Sequence, residues 1–411
     1  MLDHLFNKEV HYRSHGRDLS FSLSMGLFSS NAIDAGSRLL IDTLIDSVDL
    51  SKMQTALDAG CGVGTLAVTL KALYPDLDMI ASDRDALALA VTDHNAQING
   101  LSIKTVPGLD TLIYDQEEGR FTGKEHYFDL IMTNIPAKAG EPVLYRFLQN
   151  GLSQLTETGV FAFVIVDTLA DHAQEMCEEL TQEIITRQDG KRHSVFIIKK
   201  EATRSYTIDS VFPGVYVRAH ERFSLKKLSY SIDTVYNIPG FDTIPYDAAL
   251  GVKMACTQSP ESLTLWNPGQ GHYAMGILLQ DRKKRIKHIQ LMGRDLLALK
   301  ISEHSIKKSF PHVSVTIHFL HSISECLSNR HMPLKKKSNL LLITPDPIPL
   351  VSFVALVGSS QIVIEKEIRS DIIIASKSSA MASFSKGLTG FTLRDSKKKH
   401  GFRAILFKNL Y

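Results

Sequence analysis

Thr55-Ala-Leu-Asp-Ala-Gly-Cys-Gly-Val-Gly-Thr-Leu-Ala-Val-Thr-Leu70 decides how this chain folds. A short apolar run ends in Gly60-x-Gly62-x-Gly64, and a helix-like pattern through Leu66, Thr69, Leu70 and Leu73 begins at once. The stretch therefore reads as strand, glycine turn and helix. Glycines let the backbone bend tightly, bring its N–H groups against a ligand and open the next helix toward it. The dinucleotide pattern Gly-x-Gly-x-x-Gly places phosphate on the helix N-terminus. Here the third glycine comes one residue early, and an acid, Asp58, stands two residues before the first.

Outward from the turn, apolar runs and helical patterns alternate. Strands are expected over 54–59, 77–82, 103–106, 128–133 and 160–166, with helices over 86–99, 143–155 and 171–180, then a hairpin at 183–187 and 193–199. Such alternation implies a mostly parallel sheet with helices on both faces, whose ligands sit at the carboxyl ends of the strands. Asp58, Gly60, Asp83, Asp110 and Asn134 all fall at those ends. Upstream, Asp34 or Ser30 is placed to cap a helix whose apolar face is Leu39, Leu40, Leu44 and Ile45.

The chain then repeats itself. Arg84–His94 matches Arg294–His304, Asp34-Ala35 matches Asp247-Ala248, and Ile131–Asn134 matches Leu342–Pro345, with nearly constant spacing. Matching Asp58-Ala-Gly60-Cys-Gly62 to Asn267-Pro-Gly269-Gln-Gly271 pairs Asp58 with Asn267. Two copies of one fold follow, with domains over 1–200 and 201–411. Asp83 corresponds to Gly293 and Asn134 to Pro345, so the second copy keeps the apolar pattern and loses the polar one.

The acid-and-glycine turn resembles motif I of the class I S-adenosylmethionine (SAM) methyltransferases. That resemblance implies an α/β fold of two tandem Rossmann-like domains, each a mostly parallel seven-stranded sheet with a terminal antiparallel hairpin. It implies SAM as cofactor, held by Asp58, Gly60, Gly62 and Gly64, with Asp83 on the ribose hydroxyls and Asp110 on the adenine amine. Asn134-Ile135-Pro136-Ala137 occupies the place of the Asn-Pro-Pro-aromatic motif of enzymes that methylate planar amino nitrogens. There the Asn side chain and the following carbonyl, here that of Ile135, accept hydrogen bonds from the target amine. Ala137 lacks the stacking ring, and Phe28 is the candidate to replace it. Gly26-Leu-Phe28-Ser with Asp34-x-Gly36-Ser37-x-Leu-Leu is similar to the segment before motif I in bacterial ribosomal-RNA guanine-N2 methyltransferases of the methyltransferase small domain family, which pair one live and one dead copy. In that family the active copy is the second; here the intact motifs lie in the first.

Charge divides the same way. Residues 1–200 hold 17 Lys+Arg against 28 Asp+Glu, and residues 201–411 hold 29 against 16. A basic second half, with runs at 282–287, 335–337 and 397–399, fits a phosphate-backbone track on RNA, although solvated loop charge is the competing reading. The four cysteines show no metal or disulfide spacing, which suggests free thiols in a reducing compartment. Cys61 reads as a small space-filler in the turn. No metal-ligand cluster, signal peptide or membrane span is expected, and the setting is cytoplasmic. Oligomeric state is left open. The favoured reading is a SAM-dependent enzyme acting on an exocyclic amine of an RNA base, with guanine N2 of ribosomal RNA preferred. Methylation of a protein amide or small metabolite, and a non-enzymatic SAM- or RNA-binding scaffold, are the alternatives.

Overall fold

The computed structural model describes residues 5–410 apart from 182, 226, 241, 324, 326–338, 347–369 and 382–389. The chain divides into two compact units, Met1–Tyr216 and Val217–Tyr411, called here the first and second lobes.

The first lobe opens with an antiparallel hairpin, β1 (Phe6–Ser14) and β2 (Arg17–Ser24). Helix α1 (Ala35–Ser47) follows, capped by Asp34, whose carboxylate accepts from the Ser37 N–H at 2.9 Å. Then come β3 (Thr55–Ala59), α2 (Thr65–Leu73), β4 (Asp78–Asp83), α3 (Ala86–Ile98), β5 (Lys104–Leu109), β6 (Leu112–Asp115), β7 (Arg120–Thr122) and β8 (Phe128–Asn134). Helix α4 (Glu141–Gln154), β9 (Leu155–Val166), α5 (Ala170–Leu180) and the hairpin β10 (Ile184–Asp189) and β11 (His193–Lys199) complete it. The sheet order is β10-β11-β9-β8-β3-β4-β5-β6-β7. The pairs of β3 with β4 and β8, of β4 with β5 and of β8 with β9 are parallel. Phe161 and Phe163 on one face of β9 and Ala162 and Val164 on the other are all wholly buried, as a strand covered on both faces requires.

Nine strands stand where seven were expected. The additions, β6 and β7, pair antiparallel at the edge beyond β5; four and three residues are too short to show a two-residue period.

The second lobe repeats this plan: hairpin β12 (Val217–Leu225) and β13 (Leu228–Val235), α6 (Tyr246–Ala255), β14 (Ser262–Trp266), α7 (His272–Gln280), β15 (His288–Gly293), α8 (Leu296–Ser309), β16 (Ser314–Phe319), β17 (Asn339–Ile343), β18 (Asp371–Lys377), β19 (Phe391–Lys399) and β20 (Phe402–Asn409). Its sheet runs β16-β15-β14-β17-β18-β20-β19, the order of β5-β4-β3-β8-β9-β11-β10 in the first lobe. Leu340 and Leu342 enter one core and Leu341 and Ile343 the other, so β17 is apolar on both faces.

The register corrects the sequence alignment of the copies. Left-handed backbone falls at Gly60, Gly62 and Gly64 in the first lobe and at Asn267, Gly269 and Gly271 in the second. Gly60, not Asp58, therefore corresponds to Asn267, and the counterpart of Asp58 is Leu265. Likewise Ala56 pairs with Leu130 and Leu263 with Leu340, which carries Asn134 onto Thr344 in place of Pro345. The shift arises because Asn267 takes the left-handed position that Gly60 holds in the first lobe, so matching glycine to glycine displaces the turn by two residues.

Residues 201–216 belong to the first lobe. The Asn150 side chain donates to the Asp209 carbonyl at 2.9 Å, and Phe212 lies 5.4 Å from Phe121, ring centre to ring centre.

Candidate functional site

The site assembles where β3, β4 and β8 end side by side. Gly60 and Cys61 donate their N–H groups to the Ser82 carbonyl at 2.8 and 3.0 Å, folding the turn over the end of β4. The three glycines have different reasons. A Cβ on Gly64 would stand 3.0 Å from Thr92 on α3, so this glycine permits close helix packing. A Cβ on Gly62 would meet nothing within 4 Å, and one on Gly60 only the Thr133 hydroxyl at 4.0 Å. Beyond their left-handed backbone, these two leave open space. Cys61 is buried, burial pushes its thiol well up, and Thr92 donates to its sulfur at 3.3 Å, all of which suits a packing role.

Asp58 is wholly buried on β3. One carboxylate oxygen, Oδ2, accepts from the Ala67 N–H in the first turn of α2 at 3.0 Å. The other, Oδ1, is buried with no partner among the described residues, as are the Ser82 and Thr133 hydroxyls on the neighbouring strands. Burial first, and then the Asp83 charge, raises Asp58 to about 7. Asp83 accepts from the Gly62 N–H at 3.0 Å and the Asp85 N–H at 2.8 Å, and burial with the Asp85 charge raises it to about 6. Two carboxylates with raised pKa values and an unmatched buried oxygen form a receptor that lacks a cation and hydroxyl donors. S-adenosylmethionine, with its ammonium and ribose diol, has those groups.

Asn134 ends β8. Its amide NH₂ donates to Asp34 at 2.9 Å and to the Ser37 hydroxyl at 3.2 Å, leaving Oδ1 as the accepting end. Ile135 is buried and donates to the Val164 carbonyl at 3.0 Å, Pro136 is exposed, and its carbonyl closes a turn with the Ala139 N–H at 2.9 Å. Phe28 lies in the segment after β2 and is 69 % exposed, a free ring with no aromatic neighbour among the described residues.

Asp110 differs from its expected role. Its Oδ1 accepts from the Thr111 and Leu112 N–H groups at 2.6 and 3.2 Å. Its Oδ2 accepts from Arg146 Nε at 2.9 Å and the Tyr216 hydroxyl at 3.0 Å. Arg146 also donates to the Val211 carbonyl at 3.0 Å. Every acceptor direction is used within the lobe, so Asp110 is a structural anchor and not a spare acceptor for an adenine amine. Sequence reasoning missed this because its partners lie 36 and 106 residues away. It also missed the link from Asp34 to Asn134, for which the Asp34-x-Gly36-Ser37 pattern was the available signal.

Residues 18–196 match the family model of the methyltransferase small domain. The match lies wholly within the first lobe. YbxB of Bacillus subtilis, an uncharacterised protein, is 28 % identical over 46 % of this chain and 90 % of its own length. Ribosomal RNA small subunit methyltransferase C of Hamiltonella defensa is 30 % identical over 33 % of this chain, and that of Shewanella halifaxensis 31 % over 36 %. The matched regions span 37 % and 42 % of those two proteins, well under two thirds of either. Among solved structures, the 16S rRNA N2 methyltransferase RsmC of T. thermophilus, in complex with AdoMet and guanosine, shares the fold at a TM-score of 0.63 and 12 % identity, over 98 % of this chain and 99 % of that one.

Among the described residues no helix is long and apolar enough to cross a membrane, and no group of three or more His, Cys, Asp or Glu is placed to hold a metal.

Proposed function

We propose that this methyltransferase small domain binds S-adenosylmethionine and methylates the exocyclic N2 amine of guanine in ribosomal RNA. The observation that carries the reading is the pairing of an open, acid-lined glycine turn with the Asn134 amide on the adjacent strand end. S-adenosylmethionine, when bound, supplies the methyl group from its sulfonium. Asp58 and the turn at Gly60 and Gly62 hold the cofactor's charged end, and Asp83 takes its ribose hydroxyls through charge-assisted bonds. Asn134 Oδ1 and the Ile135 carbonyl accept from the target amine and aim its lone pair. Pro136 and the exposed ring of Phe28 flank the planar base. Alignment in a water-poor site is the main requirement of such a displacement.

The second lobe serves RNA binding or stability. The run Arg282–Lys287 lies in the turn before β15, with its four Lys and Arg residues at 282–285 and Lys287 exposed around the buried Ile286. Lys335–Lys337 lies outside the described residues. Lys398 and Lys399 are exposed on β19, while Lys397 pairs with Asp395 at 3.1 Å.

The testing experiment offers tritium-labelled SAM with ribosomal RNA, total protein and small metabolites. Label is expected in RNA guanine; label confined to protein or metabolites overturns the substrate. The Asn134→Ala variant is expected to lose turnover about 100-fold, the scale of one missing acceptor at a reacting centre, while SAM affinity stays within twofold.

A further inference from the structure

We propose that Asp34 is a positioning residue for methyl transfer, fixing which end of the Asn134 amide meets the substrate; the inference rests on the reading of Asn134 given above. An amide side chain has two ends of nearly equal shape, one accepting and one donating. A target –NH₂ requires the accepting end, and the opposite rotamer would set donors against donors. An ionised carboxylate only accepts hydrogen bonds. Asp34 Oδ2 lies 2.9 Å from Asn134 Nδ2, so turning the amide over would press Oδ1 against an anionic oxygen. The Ser37 hydroxyl, 3.2 Å from the same nitrogen, is a second acceptor on that side.

Asp34 is itself held. The same Oδ2 accepts from the Ser37 N–H at 2.9 Å and faces the Ser37 hydroxyl at 3.5 Å, so the cap of α1 and the lock on β8 share one atom. Gly36 completes the arrangement. A Cβ there would stand 2.9 Å from Asp34 Oδ2 and 3.0 Å from the His193 ring, displacing one or the other. The Asp34-x-Gly36-Ser37 pattern thereby acquires a chemical reason that neither the fold nor the cofactor supplies. A helix cap alone does not need charge, because Ser and Asn cap about as well as Asp.

That equivalence makes the test. Asp34→Asn and Asp34→Ser each keep a capping oxygen but remove the obligate acceptor, and the amide introduced by Asp34→Asn can donate to a flipped Asn134. Both variants are expected to keep the melting temperature within about 2 °C, on the scale of a retained cap, and SAM affinity within twofold. Both should lose kcat by about tenfold to 100-fold, the scale of a misplaced reacting group. In ¹⁵N spectra the Asn134 side-chain amide, assigned by its disappearance in Asn134→Ala, should shift in both. A wild-type kcat in both variants overturns the positioning role and leaves methyl transfer standing. An unmoved Asn134 resonance also overturns it. A wild-type protein that methylates no RNA or nucleoside fails the parent reading itself, and the proposal falls with it.

Discussion

The two lobes place left-handed backbone at the same three turn positions, yet treat the space beyond in opposite ways. In the first lobe the turn is open above Gly62, and Asp58 keeps an unmatched oxygen. In the second, Asn267 takes the place of Gly60 and turns its amide inward, donating to the Thr344 carbonyl at 3.0 Å and to Asp346 at 2.9 Å. Its Oδ1 lies 2.7 Å from where a Cβ on Gly293 would stand, so the volume that Asp83 uses in the first lobe is filled. Arg294 lies 3.8 Å from Asp346 and closes the set. One lobe leaves Asp58 Oδ1 unmatched beside an open turn; in the other, Asn267, Thr344, Asp346 and Arg294 engage one another across the same place. The apolar alternation that builds the sheet is indifferent to the choice, so one fold can be built around either arrangement.

Asp110 is the exception on the first lobe's strand ends, an acid already paired, and it gives the largest expected effect. Arg146→Ala leaves the Asp110 carboxylate buried without its counter-charge, and breaking such a pair costs about 3–5 kcal/mol. The chain's single tryptophan, Trp266, is in the second lobe. Urea unfolding followed by circular dichroism should therefore show an earlier first transition, while the Trp266 fluorescence transition holds its midpoint. A shift of less than about 1 kcal/mol, the value of an exposed pair, would show that the Asp110–Arg146 pair does not anchor the lobe.

The ligand contrast is tested next. Asp83→Ala is expected to weaken SAM binding by about 2–3 kcal/mol, the scale of charge-assisted bonds left unmade. Titration calorimetry on the wild type should give one site per chain. Gly293→Asp, the reciprocal change, should create no second site, because Asn267 occupies the volume. A stoichiometry near two would show that the lobes are equivalent and break the comparison.

Much of this was readable before any coordinates. The turn at 60–64, the strand-end placement of Asp83 and Asn134, and the duplication follow from periodicity and glycine spacing, which are local signals. Besides the Asp34–Asn134 link, three things were not. Asp110 looks like Asp83 in sequence, and only Arg146 and Tyr216, brought in by α4 and by residues 201–216, distinguish it. The register of the second turn depends on backbone torsion, carried by Asn267 where a glycine was sought. The edge strands β6 and β7 owe their existence to pairing with β5 and each other, not to any pattern of their own.

The raised carboxylates make a smaller, signed prediction. Asp58 titrates near 7 and Asp83 near 6 in the free lobe, above the usual range for either. Between about pH 4 and 7 the folded state therefore binds more protons than the unfolded one, so without ligand the first lobe should lose stability as pH rises through that window. A cationic ligand favours the ionised forms, so its affinity should climb over the same range and level off above about 7. Each group contributes at most about tenfold per pH unit below its pKa. Calorimetry in buffers of different ionisation enthalpy should detect proton release on SAM binding at pH 6. Proton uptake, or affinity flat from pH 5.5 to 7.5, would remove Asp58 and Asp83 from contact with the cation.

The charge division between the lobes supplies the smallest expected effect. Arg285 lies 3.7 Å from Asp281 and Ile286 is anchored by its N–H to the same carboxylate at 2.8 Å, so the loop before β15 has a fixed base. Of the five exposed charges of the run, Arg282, Lys283, Lys284 and Lys287 take no part in that ion pair, and replacing these four with Gln leaves that base intact. If they lie along a phosphate backbone, the slope of log affinity against log salt should become shallower by about 0.7–0.9 for each phosphate no longer neutralised. KM for ribosomal RNA should rise severalfold at physiological salt, while methylation of free guanosine, which has no backbone to track, should be unchanged. The lobes then divide the work, one reading a base and the other a polyanion. An unaltered slope would leave the run as solubilising charge, and the contrast would reduce to one lobe with a ligand site and one without.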